Sequence, residues 1–384
     1  MLSATLAVAT PQSSAVTYQQ AADALYNLDF SIAEAAFNSL IRQDESNPDY
    51  WNGLASTIWL KILYDQQKLN VASYSGPDIG DKRSRDSIKP ADEKRLRDTV
   101  NMAIAKAGAM RGRNPKDVRA LYALGVSNAT LAAFEGIAQR SYRSAVSRAK
   151  TARNYHQQVL KLDPNFHDAQ LAIGTFDYGV SVIPPFFRMI ACIFGVCGSG
   201  KDEGIRKLQI AATKGARAST DAKLILIVAY NREKRFAESL HLIDELLAKY
   251  PRNFQLELEK AGVYEKMKNW NGAVQVYQHV LSKTVAKQDG YDRLREELVY
   301  RELGEANVYR LDLDDAIAAF NKVVTGARAT PEEKADAYIW LGKIYDSRNE
   351  RQKAVQQYNA VLKLDCGSDY KETAQGFIRK PYKG

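Results

Sequence analysis

A recurring aromatic-and-small pattern constrains this chain more than any other feature. Tyr230-Asn-Arg-Glu-Lys-Arg-Phe236-Ala-Glu-Ser239 is answered by Tyr264-Glu-Lys-Met-Lys-Asn-Trp270-Asn-Gly-Ala273, and Ser239 and Ala273 stand 34 residues apart. Leu303-Gly304 is followed by Ala316-Ile-Ala-Ala-Phe320 and then Val323-Val324, and Leu341-Gly342 by Ala354-Val-Gln-Gln-Tyr358 and Val361-Leu362. Ala273 to Ala316 is 43 residues and Ala316 to Ala354 is 38, so nine and four extra residues fall between helices. Side chains at i, i+4 and i+7 share one helix face, so each unit reads as a helical hairpin with an apolar seam. The Leu-Gly step lets the second helix come close, the aromatic three residues later (Tyr345 after Gly342) is expected to fill the space beside it, and the small Ala or Ser opens the second helix.

The pattern extends towards the start of the chain. Ala33-x-x-x-Phe37-x-x-Leu40 reads as a second helix, Trp51-x-x-Leu54-Ala55 opens the next first helix, and Leu124-Gly125 pairs with Ala152 through Val159-Leu160. Ile173-Gly174 starts a further unit whose second helix runs from Gly204 through Leu208 to Ala211. With the closing Leu162-Asp163-Pro164-Asn165, these residues resemble the tetratricopeptide repeat. The resemblance implies an all-α fold, a right-handed superhelical solenoid of about six or seven helical hairpins over nearly all of residues 18–365. The organisation expected is a flexible N-terminus or signal-peptide remnant at 1–16, a solenoid at 17–365 interrupted at about 70–92, 126–150 and 179–200, and a capping helix with a tail at 366–384.

A narrower likeness rests on Leu28-Asp29-Phe30-Ser-Ile-Ala33-Glu-Ala-Ala-Phe37, on Pro184-Pro185-Phe186, and on Phe194-Gly-Val-Cys-Gly198-Ser-Gly-Lys-Asp-Glu-Gly204. These stretches look like a set of bacterial tetratricopeptide proteins of unknown function, and are weakly similar to a eukaryotic group that clears inclusion bodies at the outer mitochondrial membrane. The likeness implies a scaffold in or near an envelope and no chemistry.

The net charge of +9 belongs to one segment: between Lys94 and Lys161 stand 14 Lys/Arg against 3 Asp/Glu. Such a segment is either a solvated helix face or an attractor for nucleic acid, anionic lipid or an acidic partner. On a helix, Arg140, Arg143 and Lys150 fall on one side, and Ala145, Ala149 and Ala152 on the other. Tyr142 and Tyr155 are too sparse for a base-stacking platform, which makes nucleic acid an unlikely partner. Leu2 to Ala9 is apolar and Ala7-Val8-Ala9 resembles the end of a signal peptide, but no basic residues precede it. The expectation is export to the periplasm or cell envelope, with a cytoplasmic location as the alternative. Cys192, Cys197 and Cys366 form no CxxC pair and read as buried small hydrophobes, not a disulfide framework.

Gly179 to Gly198 is apolar apart from Ser181 and Arg188, about the length of a membrane span. Pro184-Pro185 and Arg188 in its middle oppose a simple span. A buried plug is expected, with a membrane-associated contact to lipid or a hydrophobic ligand, or a self-association surface, as alternatives. Gly195-Val-Cys-Gly-Ser-Gly200-Lys201 matches part of a phosphate-binding loop, but Asp202 stands where Ser or Thr should hold Mg²⁺. A glycine-rich turn is the simpler reading, with Asp202 and Glu203 at the start of the next helix.

His156, His167, His241 and His279 show no metal-ligand spacing, and adjacent pairs such as Asp314-Asp315 and Glu296-Glu297 point apart on a helix. No catalytic residue, cofactor or metal is expected. The first helices of such a solenoid line its concave surface, where a peptide or partner protein is expected to bind. The residues expected there are Leu224, Val228, Asn231, Leu258, Glu265, Arg301, Glu305, Ile339, Lys343 and Asp346. Their mixture lacks the Lys/Asn set with which chaperone-binding members of the superfamily clamp a C-terminal carboxylate.

Overall fold

The computed structural model describes residues 16–67, 69, 88–183, 192 and 197–383. The expected N-terminal segment up to residue 15, most of the 70–92 insertion, the greater part of the apolar 179–198 stretch, and Gly195 with Val196 lie outside the described residues. Every regular element among the described residues is a helix. Two compact units divide the chain after Gly198.

The first unit holds α1 (Tyr18–Tyr26), α2 (Phe30–Gln43), α3 (Pro48–Asp65), α4 (Pro90–Arg113), α5 (Val118–Ala133), α6 (Tyr142–Leu162) and α7 (Gln170–Ser181). Each helix packs on the next in order. The 126–150 stretch, expected as an insertion, consists of the end of α5, a π-helical segment Phe134–Ala138, and the start of α6. It lengthens one hairpin from within. Phe134 is fully buried and meets Trp59 edge to face at 5.7 Å between centroids, so the added length is part of the core.

The second unit holds α8 (Lys201–Lys214), α9 (Ser219–Arg232), α10 (Phe236–Lys249), α11 (Phe254–Lys266), α12 (Trp270–Val285), α13 (Glu296–Tyr309), α14 (Leu313–Thr325), α15 (Pro331–Ser347), α16 (Arg351–Leu362) and α17 (Ser368–Arg379). These also pack in sequence, and α13 touches α15 as α15 touches α17.

The hairpins share one internal register. Ala21, Ile227, Ala261, Gly304 and Gly342 each precede by 16 residues the large side chains Phe37, Ile243, Tyr277, Phe320 and Tyr358, all buried. A Cβ built on Gly342 would lie 2.3 Å from the Tyr358 ring, and one on Gly304 would lie 2.8 Å from Phe320. No real Cβ fits at such distances, so glycine is needed there for space. The ring over Gly342 comes from the second helix, and Tyr345 packs beside the step against the cores that hold Leu341 and Tyr358. In the first unit Phe37 crowds Gly53, and His156 crowds Gly125 at 2.2 Å.

The turn inside the hairpin is equally regular. Leu28, Lys234, Lys268, Leu311 and Asn349 adopt left-handed backbone, with φ of 63°, 58°, 57°, 66° and 61°. The N–H of the following residue reaches back five positions: Asp29 to the Ala24 carbonyl, Arg235 to Tyr230, Asn269 to Tyr264, Asp312 to Asn307 and Glu350 to Tyr345, at 2.8–2.9 Å. This 6→1 bond closes the first helix. The nine extra residues between α12 and α13 stay outside the hairpin; they turn through Gly290, at φ 86°, and place the Tyr291 ring in the core beside Phe254.

Cys192 and Cys197 were expected to be buried thiols. They are exposed and joined in a disulfide with Cα atoms 4.6 Å apart, inside the ordinary range for such a bond. Cys366 remains a thiol packed against the α16–α17 core.

A left-handed conformation is costly for any residue with a Cβ. Leu311 combines it with 83% exposure, so its side chain contributes no packing that a replacement would lose. Leu311→Gly is expected to stabilise the protein by about 0.5–1 kcal/mol, a rise of about 1–3 °C in Tm, while Leu311→Ala gives no such gain. Calorimetry of the two variants checks this, and equal melting temperatures would remove the turn strain from the account.

Candidate partner-binding face

The first helices of the second unit, α9, α11, α13 and α15, carry the residues expected to bind a partner. Glu265 on α11, Arg301 and Glu305 on α13, and Lys343 on α15 are half-buried and interact electrostatically across three consecutive hairpins. Arg301 bonds its neighbour Glu302, and its Nη1 lies 3.5 Å from Glu305 Oε1. Glu265 Oε1 accepts the Tyr277 hydroxyl of α12 at 2.9 Å. Lys343 Nζ lies 4.3 Å from the Trp340 ring centroid.

Asp336, one heptad before Lys343 on the same helix face, joins the group; it makes no hydrogen bond or ion pair among the described residues and feels Arg301 and Lys343 at longer range. The sequence reading missed it, although its seven-residue spacing from Lys343 was the available signal.

The remaining candidates stand elsewhere. Leu224, Val228 and Leu258 are half-buried on α9 and α11, outside this charged group. Asn231 is buried, its amide donating to Glu259 at 2.7 Å. Ile339 lies in the core with Ala354, Tyr358 and Ala374. Asp346 is buried and bound by Arg351 at 2.9 Å, by the Tyr358 hydroxyl at 3.0 Å and by the Tyr382 main-chain N–H at 2.9 Å. Both are covered because α17 and the segment after it pack over this end of α15.

Electrostatically the face is short of positive charge. Burial first, and then the Glu302 carboxylate, push Glu305 up to about 7 in spite of Arg301. Burial raises Glu265 although Tyr277 donates to it, and raises Asp336 against the pull of Arg301 and Lys343. Burial lowers Lys343.

Other sites considered from the sequence are occupied by structural contacts. Gly200, at φ 100°, turns into α8, and Lys201 Nζ bonds Glu233 at 2.7 Å. In the basic segment Arg95 pairs with Glu34, Lys106 with Glu45 at 2.7 Å, and Arg153 with Asp177 at 3.1 Å. His156 Nε2 lies 3.2 Å from the Tyr122 carbonyl, and burial lowers its pKa to about 4, as suits a neutral core ring. Among the described residues, no cluster of His, Cys, Asp and Glu is suited to a metal, and no helix is long and apolar enough to cross a membrane.

A family model of the tetratricopeptide repeat matches residues 18–64 and 301–369, one stretch in each unit. Those two stretches are tetratricopeptide repeats. No curated protein matches the chain. Among solved structures it is similar to yeast Tom70 at 13% identity, covering 94% of this chain and 87% of that one, with a TM-score of 0.40. A human IFIT1 dimer with m7Gppp-AAAA gives 12% identity, coverage of 97% and 83%, and a TM-score of 0.40. A tetratricopeptide-repeat protein from Parabacteroides merdae gives 12%, coverage of 93% and 95%, and 0.30. Values this low transfer no ligand or partner to the present chain.

The raised carboxyl of Glu305 links stability to pH. Unfolded, it loses its proton near 4.5; folded, it holds that proton to about 7. Stability is therefore expected to fall as pH rises through this window and to level off above it. Glu305→Gln should flatten the descent and add about 1–3 kcal/mol at pH 8. Urea denaturation of both proteins from pH 5 to pH 8 measures this; identical slopes would contradict the burial of this carboxyl.

Proposed function

We propose that the chain is a non-enzymatic scaffold whose second unit holds an extended segment of a partner protein along its first-helix face. The tetratricopeptide fold by itself implies a protein-interaction role. What supports this face in particular is the gathering of Glu265, Arg301, Glu305, Asp336 and Lys343 from three hairpins into one half-buried group. Partly buried charges are costly unless paired and hydrogen-bonded. Among the described residues Asp336 has no such bonds, and a partner could supply them. The ion pairs within the basic segment leave less of its charge for phosphates, which disfavours a nucleic-acid role.

The test compares two baits in lysate of the source organism: the native chain and the variant Arg301→Glu, Glu305→Lys, Lys343→Glu, with circular dichroism confirming that both fold. A partner retained by the first and reduced at least tenfold by the second is expected. Equal retention by both would remove this face from the function.

A further inference from the structure

We propose, resting on the reading above, that residues 380–383 are a built-in ligand of the first-helix face, and that the partner segment competing for their seat is likewise extended, with an aromatic ring between basic residues. After α17 the chain does not run off into solvent. Lys380-Pro381-Tyr382-Lys383 turns back onto α15, the last of the first helices that carry the candidate residues.

The Tyr382 main-chain N–H donates to Asp346 Oδ2 at 2.9 Å, and its ring centroid lies 5.6 Å from Lys343 Nζ. Phe377 meets the Tyr382 ring edge to face at 5.7 Å and also faces Lys343. The Lys343 ammonium thus sits among the rings of Trp340, Phe377 and Tyr382, a favourable place for a cation. Its electrostatic partners within the face are Asp336 and Glu305.

The seat is prepared from beneath. Arg351 donates to Asp346 through Nη1 and to the Phe377 and Ile378 carbonyls through Nη2, at 2.8 and 2.6 Å. Arg351 and the Tyr358 hydroxyl thus aim Asp346 at the Tyr382 N–H. The tail itself is lightly held: Pro381 and Lys383 are exposed, Tyr382 is half-buried, and a cavity of about 350 Å³ opens between the tail and α17 at Thr373 and Gly376. One ring and one main-chain bond make a latch that a competing segment can lift. The basic residues Arg379, Lys380 and Lys383 beside that ring suit a face short of positive charge.

A tethered segment acts at an effective concentration of about millimolar, so a free copy should reach the seat only when the tethered one is gone. The probe is the heptapeptide Ile-Arg-Lys-Pro-Tyr-Lys-Gly, residues 378–384, observed by saturation-transfer NMR, which detects weak ligands. It is mixed with the intact chain, a chain ending at Arg379, and the full-length Tyr382→Ala variant, which vacates the ring's place without shortening the chain. Transfer to the tyrosine ring and proline protons of the peptide is expected to be at least fivefold stronger with either altered chain than with the intact one, and transfer to the proline protons to vanish when the peptide tyrosine is replaced by alanine. Equal transfer with all three proteins, undiminished transfer to the alanine peptide, or no transfer to any protein would overturn the proposal. The charge-reversal capture would still decide the broader scaffold reading.

Discussion

The close approach of the two helices within each hairpin is the contact on which the rest of this molecule depends. In two hairpins a glycine on the first helix lies under a ring of the second, 16 residues on, and the same spacing to a large buried side chain recurs in three more. Where the large residue is the Phe320 or Tyr358 ring, the first helix has no room for even a methyl group. With Ile243 as the large member, Ile227 stands where other hairpins have alanine or glycine. At Gly304–Phe320 and Gly342–Tyr358 the two positions share one volume, as dense packing requires. The left-handed turn and its 6→1 bond follow from the same register, because the second helix must start at a set distance from the small residue.

A rigid hairpin of constant register lets length vary elsewhere without loss of architecture. The nine extra residues before α13 lie between hairpins and bury Tyr291. Constant register also brings positions from successive first helices onto one face, which is how Glu265, Arg301, Glu305, Asp336 and Lys343 come together from 79 residues of sequence. None of these charges is fully hidden and none is fully solvated. That intermediate state raises Glu305, and it lets the Tyr382 segment settle at the edge of the same group.

Much of this was legible in the amino-acid order. The helical hairpins follow from aromatic and small residues at helical spacing, since helix periodicity is a local property. The charged group was legible in part: Glu265, Arg301, Glu305 and Lys343 follow from the register. Asp336 required carrying the face one heptad back along α15. Ile339 and Asp346 misled for a physical reason. The positions equivalent to Ile339 on α9, α11 and α13 (Leu224, Leu258 and Arg301) stay half-buried, but α17 packs over Ile339, and the tail closes over Asp346. Cys192 and Cys197 pair across a loop that no short redox motif describes.

A double-mutant cycle at Gly304 and Phe320 tests the shared-volume account most directly. Gly304→Ala alone should cost about 1–3 kcal/mol, because the added methyl meets the Phe320 ring. Phe320→Leu alone should cost about 1–2 kcal/mol through the cavity it leaves. Together they should cost at least about 1 kcal/mol less than the sum, the methyl filling space that the smaller side chain vacates. Costs that simply add, within about 0.5 kcal/mol, would mean that the two positions do not share a volume and that something else sets the hairpin register.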